Sequence, residues 1–315
     1  TGLTASFNIP PSVLRAFLLT VRSQYADHPF HNWRHAVAVM QFSYLFMRHT
    51  RASHFVEKVE ILALLIAALC HDIRHPGHTN SFEINTCSDL ALLYNDHSVL
   101  ENFHASTTFK LLRTPKTNIF QNVGKEDEKR LREAIVASIL ATDMQSHFDI
   151  CKSLAQTDFN ELPASRKGHY ELLGVITHTS DLAGQVSPFF IAEIWERRIS
   201  EEFRRQSINE KSLGIPSAPF MENLDDEQHR AKLQVNYIDF VLEPLWKEIR
   251  RLFPGLQICS ERLYQNRELF VRRSETTSGP SPRLYRGKSK FDIMRPWPFN
   301  SEEDENNDDG KENAQ

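Results

Sequence analysis

The sequence predicts an all-α fold, and three observations favour it. Apolar residues recur at three- and four-residue intervals through most of the chain, which is the period of a helix with one buried face. Sustained two-residue alternation, which is typical of half-buried strands, is almost absent. The chain has 315 residues, of which 40% are hydrophobic and 21 are Phe, so it can bury a sizeable core. We therefore expect a compact multi-helix domain.

Proline, glycine and polar clusters divide the periodic stretches into separate helices. The first helix opens at Pro10 and runs to about Ala26, because proline suits the first turn of a helix. The apolar run Ile61–Cys70 is closed by the Pro-Gly pair at 76–77, since proline cannot continue a helix. Helices in this half of the chain are also predicted at 31–48, 56–70, 81–94, 99–112 and 126–147.

The second half of the chain has the same helical period, but its last part loses it. Helices are predicted at 167–182, 187–203, 225–252 with an interruption near Pro244, and 258–271. Residues 272–290 are basic and rich in Ser, Pro and Gly, and residues 301–315 are acidic. Such segments bury too little apolar area to offset the entropy lost on ordering. We expect a helical domain over 1–271 and a low-complexity, disordered tail over 272–315.

Composition excludes several classes of protein. Seven acids and one lysine in residues 301–315 account for the formal net charge of −4, so the rest of the chain is close to neutral and no basic stripe for nucleic acid is expected. No apolar run reaches the roughly 18 residues that a transmembrane helix needs. The cysteines are far apart and form no CxxC pair, which favours a reducing, cytoplasmic location. They are Cys70, Cys87, Cys151 and Cys259.

Metal-binding side chains stand at the end of the most apolar predicted helix. Residues 71–75 read His-Asp-Ile-Arg-His, and His31 and His35 repeat the four-residue spacing upstream. That spacing places two imidazoles one turn apart on one helix face. Asp181 ends another apolar helical stretch. Two imidazoles and two carboxylates can hold a zinc ion that keeps positions open for water. The four candidate ligands are His35, His71, Asp72 and Asp181.

Other histidines favour ordinary interpretations. Because the chain contains 14 histidines, some pair at four-residue spacing is expected by chance, and the His31/His35 pair alone is equally compatible with a surface or capping role. His178 lies near Asp181 and is expected to have a structural role. Solvated or core-edge roles are expected for His49, His54, His147, His169 and His229.

Six stretches of the chain follow one another in the order of the motifs of a known family. They are FHNWRHA at 30–36, HDIRHPGHTN at 71–80, YND and SVLEN at 94–102, LATDM at 140–144, QV and YIDF at 234–240, and NR at 266–267. Together they resemble the catalytic domain of the class I 3′,5′-cyclic nucleotide phosphodiesterases over about residues 17–270. A single His-Asp pair would indicate only the wider group of HD-type hydrolases.

The resemblance implies an all-helical fold of the HD type with the metal site at the junction of helical subdomains. It implies hydrolysis of cyclic AMP, cyclic GMP or both to the 5′-monophosphate. In such a site His35, His71, Asp72 and Asp181 hold Zn²⁺, and Asp72 bridges to a second ion, Mg²⁺ or Mn²⁺. The resemblance further implies that a metal-bound hydroxide would attack phosphorus, since two cations would lower the pKa of a shared water and neutralise charge on the phosphoryl oxygens.

The resemblance also implies roles for polar residues around the ions. His31 resembles the general acid that protonates the departing O3′, and Glu101 is expected to pair with it and raise its basicity. Together with Glu101, His75 and Thr142 are expected to hold waters on the second ion. Asn80 belongs to the same polar group around that ion.

The nucleotide pocket is implied by a third set of residues. Gln234 would hydrogen-bond the purine, and Tyr237 would stack on it opposite Ile199. Without the resemblance, a lone Gln on a helix is more often solvated and an aromatic residue at helical spacing is more often core. The amide of Gln234 can pair with adenine or guanine by flipping, so the base preference stays open.

The chain departs from the family pattern at several positions. Arg74 replaces an acid, and its cation is expected to weaken the second ion. Phe30 loses a tyrosine hydroxyl, Phe103 replaces a histidine, and Gly184 replaces a polar residue, which is expected to alter purine contacts. Only 30 residues precede His31, so the N-terminal subdomain is expected to be truncated or reduced.

Two alternatives to a cyclic nucleotide phosphodiesterase are compatible with parts of the sequence. The first is another HD-type phosphohydrolase acting on a nucleotide monophosphate or triphosphate, which the order of Gln234 and Tyr237 downstream argues against. The second is a catalytically inactive binding module, which would require a lost ligand, and all four are present. The expected partner is a small-molecule cyclic nucleotide, with regulatory domains lying outside this chain.

Overall fold

A computed structural model describes residues 2–158 and 165–275, and the regular structure in these ranges is helical, as predicted. The helices are α1 (Leu3–Ser6), α2 (Pro11–Ser23), α3 (Trp33–His49), α4 (Lys58–Cys70), α5 (Asn80–Asn85), α6 (Asp89–Tyr94), α7 (Val99–Leu112), α8 (Lys125–Leu140), α9 (His147–Gln156), α10 (Arg166–Asp181), α11 (Phe189–Ser212), α12 (Glu227–Tyr237), α13 (Glu243–Leu252) and α14 (Gln257–Glu275). The all-α prediction is confirmed. Within the described ranges, no helix is both long enough and apolar enough to cross a membrane.

Two predicted helices are each divided in the structure. The helix predicted at 81–94 is interrupted because Cys87 adopts a left-handed φ of 51°, after which the Ser88 side chain caps α6. The helix predicted at 126–147 ends at Leu140, and the Asp143 side chain then accepts a hydrogen bond from the Gln145 backbone N–H. The sequence-based assignment also missed α9, which begins at His147.

The predicted interruption near Pro244 is a π turn. Ile238–Leu242 forms this turn between α12 and α13, and Pro244 follows in the first turn of α13. At the other end of the prediction, α14 continues past Val271 to Glu275. The predicted tail from residue 276 onward lies outside the described residues.

Helix α4 is the centre of the fold. Ten of its 13 residues are buried, and it packs against α3, α7, α8 and α10. Its first turn is fixed by a capping box between Glu57 and Glu60, and buried Glu60 also pairs with Arg130 and His169. The last turn of α4 therefore delivers His71 into the protein interior.

Three helix ends converge beyond that turn. The N-cap Asn32 of α3 accepts hydrogen bonds from the backbone N–H groups of Arg34 and His35, which orients His35 on the first turn. Helix α10 ends at Asp181 and packs against both α3 and α4. The C-terminal ends of α4 and α10 carry partial negative charge, so this junction favours a cation.

Gly255 provides a test of close packing at the junction of α3 and α13. A Cβ atom added at Gly255 would lie 2.0 Å from the carbonyl oxygen of His49, so the backbone would have to move. We expect Gly255→Ala to lower the free energy of unfolding by about 2 kcal/mol or more, measured by denaturant titration. The control is Gly124→Ala, where nothing lies within 4 Å of the added atom. Equal stability of the two variants would contradict this packing.

Candidate metal centre

The three helix ends bring the four predicted ligands together. His35 Nε2 lies 2.8 Å from Asp181 Oδ1, His71 Nε2 lies 3.0 Å from Asp72 Oδ2, and the two imidazole nitrogens are 3.2 Å apart. One nitrogen or oxygen from each of the four residues lies within 4.8 Å of all the others. This group of atoms can hold a single metal ion.

The chemistry of these side chains fits a divalent cation. The Nδ1 atom of His71 donates to the backbone carbonyl of Ala68 at 2.9 Å, which turns Nε2 towards the carboxylates. Asp72 Oδ2 is buried, and the imidazole nitrogens of His71, at 3.0 Å, and His35, at 3.4 Å, lie beside it without hydrogen-bond geometry. An anionic oxygen in this state is costly unless a cation contacts it.

The electrostatics of the cluster lead to the same conclusion. Burial opposes ionisation of Asp72 and Asp181, but His71 and its neighbours outweigh burial and hold the pKa of each carboxyl below its ordinary value. Burial likewise opposes protonation of His71, yet the two carboxylates raise its pKa well above the ordinary value. The same negative potential that attracts a proton to His71 attracts a metal ion.

Asp72 belongs to a second group as well. It lies with His31 and His75 in a cluster whose candidate ligand atoms are also within 4.8 Å of one another. The His75 ring stacks on His31 at 3.8 Å between centroids and on His104 at 5.6 Å. Burial lowers the pKa of His75 well below its ordinary value and that of His104 to about 4, so both rings are neutral at physiological pH.

The partner of His31 is Glu202 rather than the predicted Glu101. The Glu202 carboxylate contacts His31 Nδ1 directly and also accepts the backbone N–H groups of Phe30 at 2.9 Å and His31 at 3.1 Å. Burial opposes protonation of His31, but Glu202 outweighs it and raises the pKa of His31 to about 9. Burial opposes ionisation of Glu202 too, and His31 nevertheless lowers its pKa to about 2. His31 therefore carries a proton at neutral pH.

Glu101 pairs instead with Asn80, another residue expected near the second ion. The Asn80 amide nitrogen donates to both carboxyl oxygens of Glu101, at 2.9 and 3.2 Å, while its oxygen accepts the Leu100 backbone N–H. Burial and Asp143 raise the pKa of Glu101 to about 7. Thr142 is buried, and its hydroxyl donates to the carbonyl of Ile139 at 2.7 Å.

The predicted pocket residues lie on α11 and α12. Gln234 is buried, and its amide nitrogen has no hydrogen-bond partner among the described residues. Burial and the Asp181 carboxylate raise the pKa of Tyr237. The Tyr237 side chain therefore lies close enough to Asp181 to be affected by its negative charge. Ile199 is partly buried on α11. The purine clamp between Tyr237 and Ile199 stays a prediction.

Two of the departures from the family pattern belong to one aromatic cluster. The Phe30 ring packs on His35 at 4.6 Å and on Trp195 at 5.6 Å between centroids. A Cβ atom at Gly184 would lie 3.2 Å from the Trp195 ring, so a small residue leaves room for this tryptophan. Together these rings cover one side of His35 and keep water from it.

The Arg74 side chain lies against Phe103 at the surface, and its expected effect on a second ion stays a prediction. The side chain is exposed, and its guanidinium lies 5.2 Å from the centroid of the Phe103 ring. This distance is typical of a cation–π contact. The substitutions at Arg74 and Phe103 therefore form one surface interaction.

Comparison with known proteins identifies the family. The family model for 3′,5′-cyclic nucleotide phosphodiesterases matches residues 30–263. The chain belongs to this family. Over 271 residues, the phosphodiesterase domain described here is 37% identical to a human protein named high affinity cGMP-specific 3′,5′-cyclic phosphodiesterase 9A, and the match covers 85% of this chain. It covers 45% of the human protein, so the chain spans less than half the length of that relative.

Two further relatives extend the comparison. The 3′,5′-cyclic-nucleotide phosphodiesterase regA of Dictyostelium discoideum is 36% identical over 266 residues, which cover 83% of this chain and 33% of regA. The crystal structure of the phosphodiesterase domain of the RhoPDE fusion protein from the choanoflagellate Salpingoeca rosetta superposes with a TM-score of 0.84. It is 37% identical and covers 87% of each chain. These matches support the all-α phosphodiesterase fold.

The His31–Glu202 pair can be tested without any substrate. We expect Glu202→Gln to lower the pKa of His31 from about 9, because the carboxylate that favours the imidazolium is removed. The pKa is measured by NMR titration of the ring nitrogens. Since a raised pKa keeps His31 protonated below about pH 9, the variant should lose that proton at a lower pH. The control is Glu201→Gln, because Glu201 pairs with Arg204 and Arg205 instead. An unchanged titration in Glu202→Gln would contradict the pairing.

Proposed function

We propose that the chain catalyses the metal-dependent hydrolysis of a 3′,5′-cyclic nucleotide, cyclic AMP or cyclic GMP, to the nucleoside 5′-monophosphate. The observation that carries the proposal is the convergence of ligand atoms from His35, His71, Asp72 and Asp181 within 4.8 Å, with the protonated His31 next to Asp72. Metal ions held by such a group, with a proton donor beside them, are suited to the cleavage of phosphate esters. Family membership supports the same reaction class.

Two ions are assigned to the site. His35, His71, Asp72 and Asp181 would hold Zn²⁺, because two imidazoles and two carboxylates suit that ion. Asp72 would share the second ion, Mg²⁺ or Mn²⁺, which prefers oxygen ligands and keeps several waters. His75, Glu101, Asn80 and Thr142 are the polar residues assigned to those waters. When bound, such a pair of ions lowers the pKa of water and neutralises charge on phosphoryl oxygens.

His31 is assigned the role of general acid. Hydrolysis adds a water oxygen to phosphorus and breaks the bond between phosphorus and O3′, so the departing alkoxide needs a proton. His31 is protonated at neutral pH because Glu202 faces its Nδ1 atom, and Nε2 is then free to donate that proton. Glu202 thus fixes the orientation of the ring as well as its charge.

Gln234 and Tyr237 are assigned to the base. The buried amide nitrogen of Gln234 lacks a partner among the described residues, and a purine edge would supply one. Tyr237 would stack on the purine opposite Ile199. The human relative is named as cGMP-specific, while the amide of Gln234 can pair with either purine.

The proposal extends to the organisation and location of the protein. The catalytic domain predicted over 1–271 is extended to Glu275, where α14 ends, and the rest of the chain is assigned to a tail, with regulatory domains outside this chain. A cytoplasmic location is inferred from the cysteines, which are free thiols in the described residues.

Turnover with and without a chelator tests the proposed reaction. Purified protein in Mg²⁺ or Mn²⁺ should convert cyclic AMP or cyclic GMP to the 5′-monophosphate, and EDTA should abolish the reaction until metal is restored. We expect His31→Asn to lower kcat by about 10²- to 10⁴-fold, because the leaving oxygen then lacks a proton donor. The measurement is product formation by chromatography.

The control for this experiment is His54→Asn, which changes an exposed histidine in a surface turn. Its kcat should equal that of the wild type. Hydrolysis of nucleotide monophosphates or triphosphates with no cleavage of cyclic nucleotides would instead support another HD-type phosphohydrolase. Tight binding of cyclic nucleotide without any product in Mg²⁺ would support a binding module.

A further inference from the structure

The π turn Ile238–Leu242 lies directly after the residues assigned to the nucleotide base. Gln234 and Tyr237 occupy the last turns of α12, and the π turn joins α12 to α13. Such turns are rare compared with regular α-helix and are frequently found at functional sites. The position of the base pocket therefore depends on what holds this turn in place.

The first contact that holds the π turn comes from α9 and α10. His147 Nε2 lies 3.0 Å from the carbonyl oxygen of Val241, and His147 Nδ1 lies 2.9 Å from His178 Nε2. Both rings are fully buried, so the sequence-based expectation that His147 is an ordinary solvated or core-edge histidine is wrong. His178 lies on α10 one turn before Asp181. This histidine bridge thus connects the π turn to the helix that carries a metal ligand.

Because both rings are neutral, the hydrogen bonds of the histidine bridge can run in one direction only. Burial lowers the pKa of His147, and burial and His147 lower the pKa of His178 to about 4, so both are neutral at physiological pH. A neutral His147 can donate from Nε2 to Val241 only if its Nδ1 accepts from His178. Each ring therefore fixes the tautomer of the other.

The second contact comes from two consecutive residues of α14. Arg267 forms a two-point ion pair with Asp239 in the π turn, with Nη2 and Oδ2 2.7 Å apart. The buried amide of Asn266 donates to the carbonyls of Gln185, at 2.7 Å, and Ser187, at 2.8 Å. Gln185 and Ser187 lie in the segment that follows Asp181. This α14 bridge thus connects the same two parts of the site as the histidine bridge.

We propose that the histidine bridge and the α14 bridge set the spacing between the nucleotide pocket and the metal centre, and that His147 and Arg267 are positioning residues for cyclic nucleotide hydrolysis. This inference rests on the proposed function. A cyclic nucleotide is held at its base by one element and at its phosphate by another. A displacement of about 1 Å between such elements can cost about 10²-fold in rate.

A comparison of two substrates tests this inference. Bis(4-nitrophenyl) phosphate is a phosphodiester without a nucleoside, so its cleavage needs the metal centre and not the base pocket. We expect Arg267→Ala and His147→Leu to lower kcat/KM for the cyclic nucleotide about 10- to 100-fold. Cleavage of the nitrophenyl diester and the Mn²⁺ affinity measured by calorimetry should change less than about twofold.

Conservative variants separate positioning from simple loss of stability. His147→Gln retains an amide donor that can reach the Val241 carbonyl and should recover most of the cyclic nucleotide rate. The exchange Asp239→Arg with Arg267→Asp should recover part of it, because the ion pair is restored in reverse. The matched control is Arg250→Ala, since Arg250 pairs with Glu243 on α13 and contacts neither bridge.

Two results would overturn the inference. One is an equal loss of both activities and of Mn²⁺ affinity in Arg267→Ala and His147→Leu, which indicates a general structural defect. The other is an unchanged cyclic nucleotide rate in both variants. If the wild type cleaves the nitrophenyl diester but neither cyclic AMP nor cyclic GMP, the proposed function is contradicted instead, and the positioning role is lost with it.

Discussion

The rest of the site depends on two carboxylates held among buried histidines, an arrangement that a bound cation would stabilise. Asp72 and Asp181 stand at the ends of α4 and α10, where the helix dipoles add further negative potential. In the protein interior such charges are costly unless a positive partner lies between them. Asp72 Oδ2 is buried beside the imidazole nitrogens of His71 and His35, neither of which meets it in hydrogen-bond geometry. The packing of the apolar helix α4 fixes the positions of His71 and Asp72. Both side chains therefore stay in the interior despite the free-energy cost of burying charge.

Neighbouring carboxylates and burial together set the protonation of the histidines around Asp72. Glu202 favours a proton on His31 beside Asp72, while His75, which stacks on His31, and His104, which stacks on His75, stay neutral. A protonated His31 beside the neutral rings of His75 and His104 is a defined candidate for a proton donor. The two bridges connect the π turn that follows Gln234 and Tyr237 to α10 and to the segment after Asp181. The contacts that set the charge of His31 and those that hold the π turn therefore involve different residues, so each set can be changed separately by mutation.

Much of this site could be predicted from the sequence because its motifs are local. His71 and Asp72 directly follow an apolar helix, so their burial could be predicted, and the order of the later motifs indicated the family. Glu202 could not be found in this way. It lies on a face of α11 whose buried residues include Glu196, Gln206 and Glu210, a composition that favours solvent exposure in sequence analysis. Its role arises from a contact with a residue 171 positions away. The burial of His147 arises in the same way from a distant partner, the π turn.

The stability of the protein with and without metal tests the central claim most directly. Thermal unfolding of the wild type, stripped with EDTA and then supplied with Zn²⁺ or Mn²⁺, should show a clear rise in Tm. An ion that binds only the folded state adds about 2.7 kcal/mol at 100 times its Kd. Asp181→Asn, which removes one carboxylate from the cluster, should lose most of that rise. A wild type whose Tm is the same with and without metal would contradict the account, as would an Asp181→Asn variant that responds to metal as the wild type does.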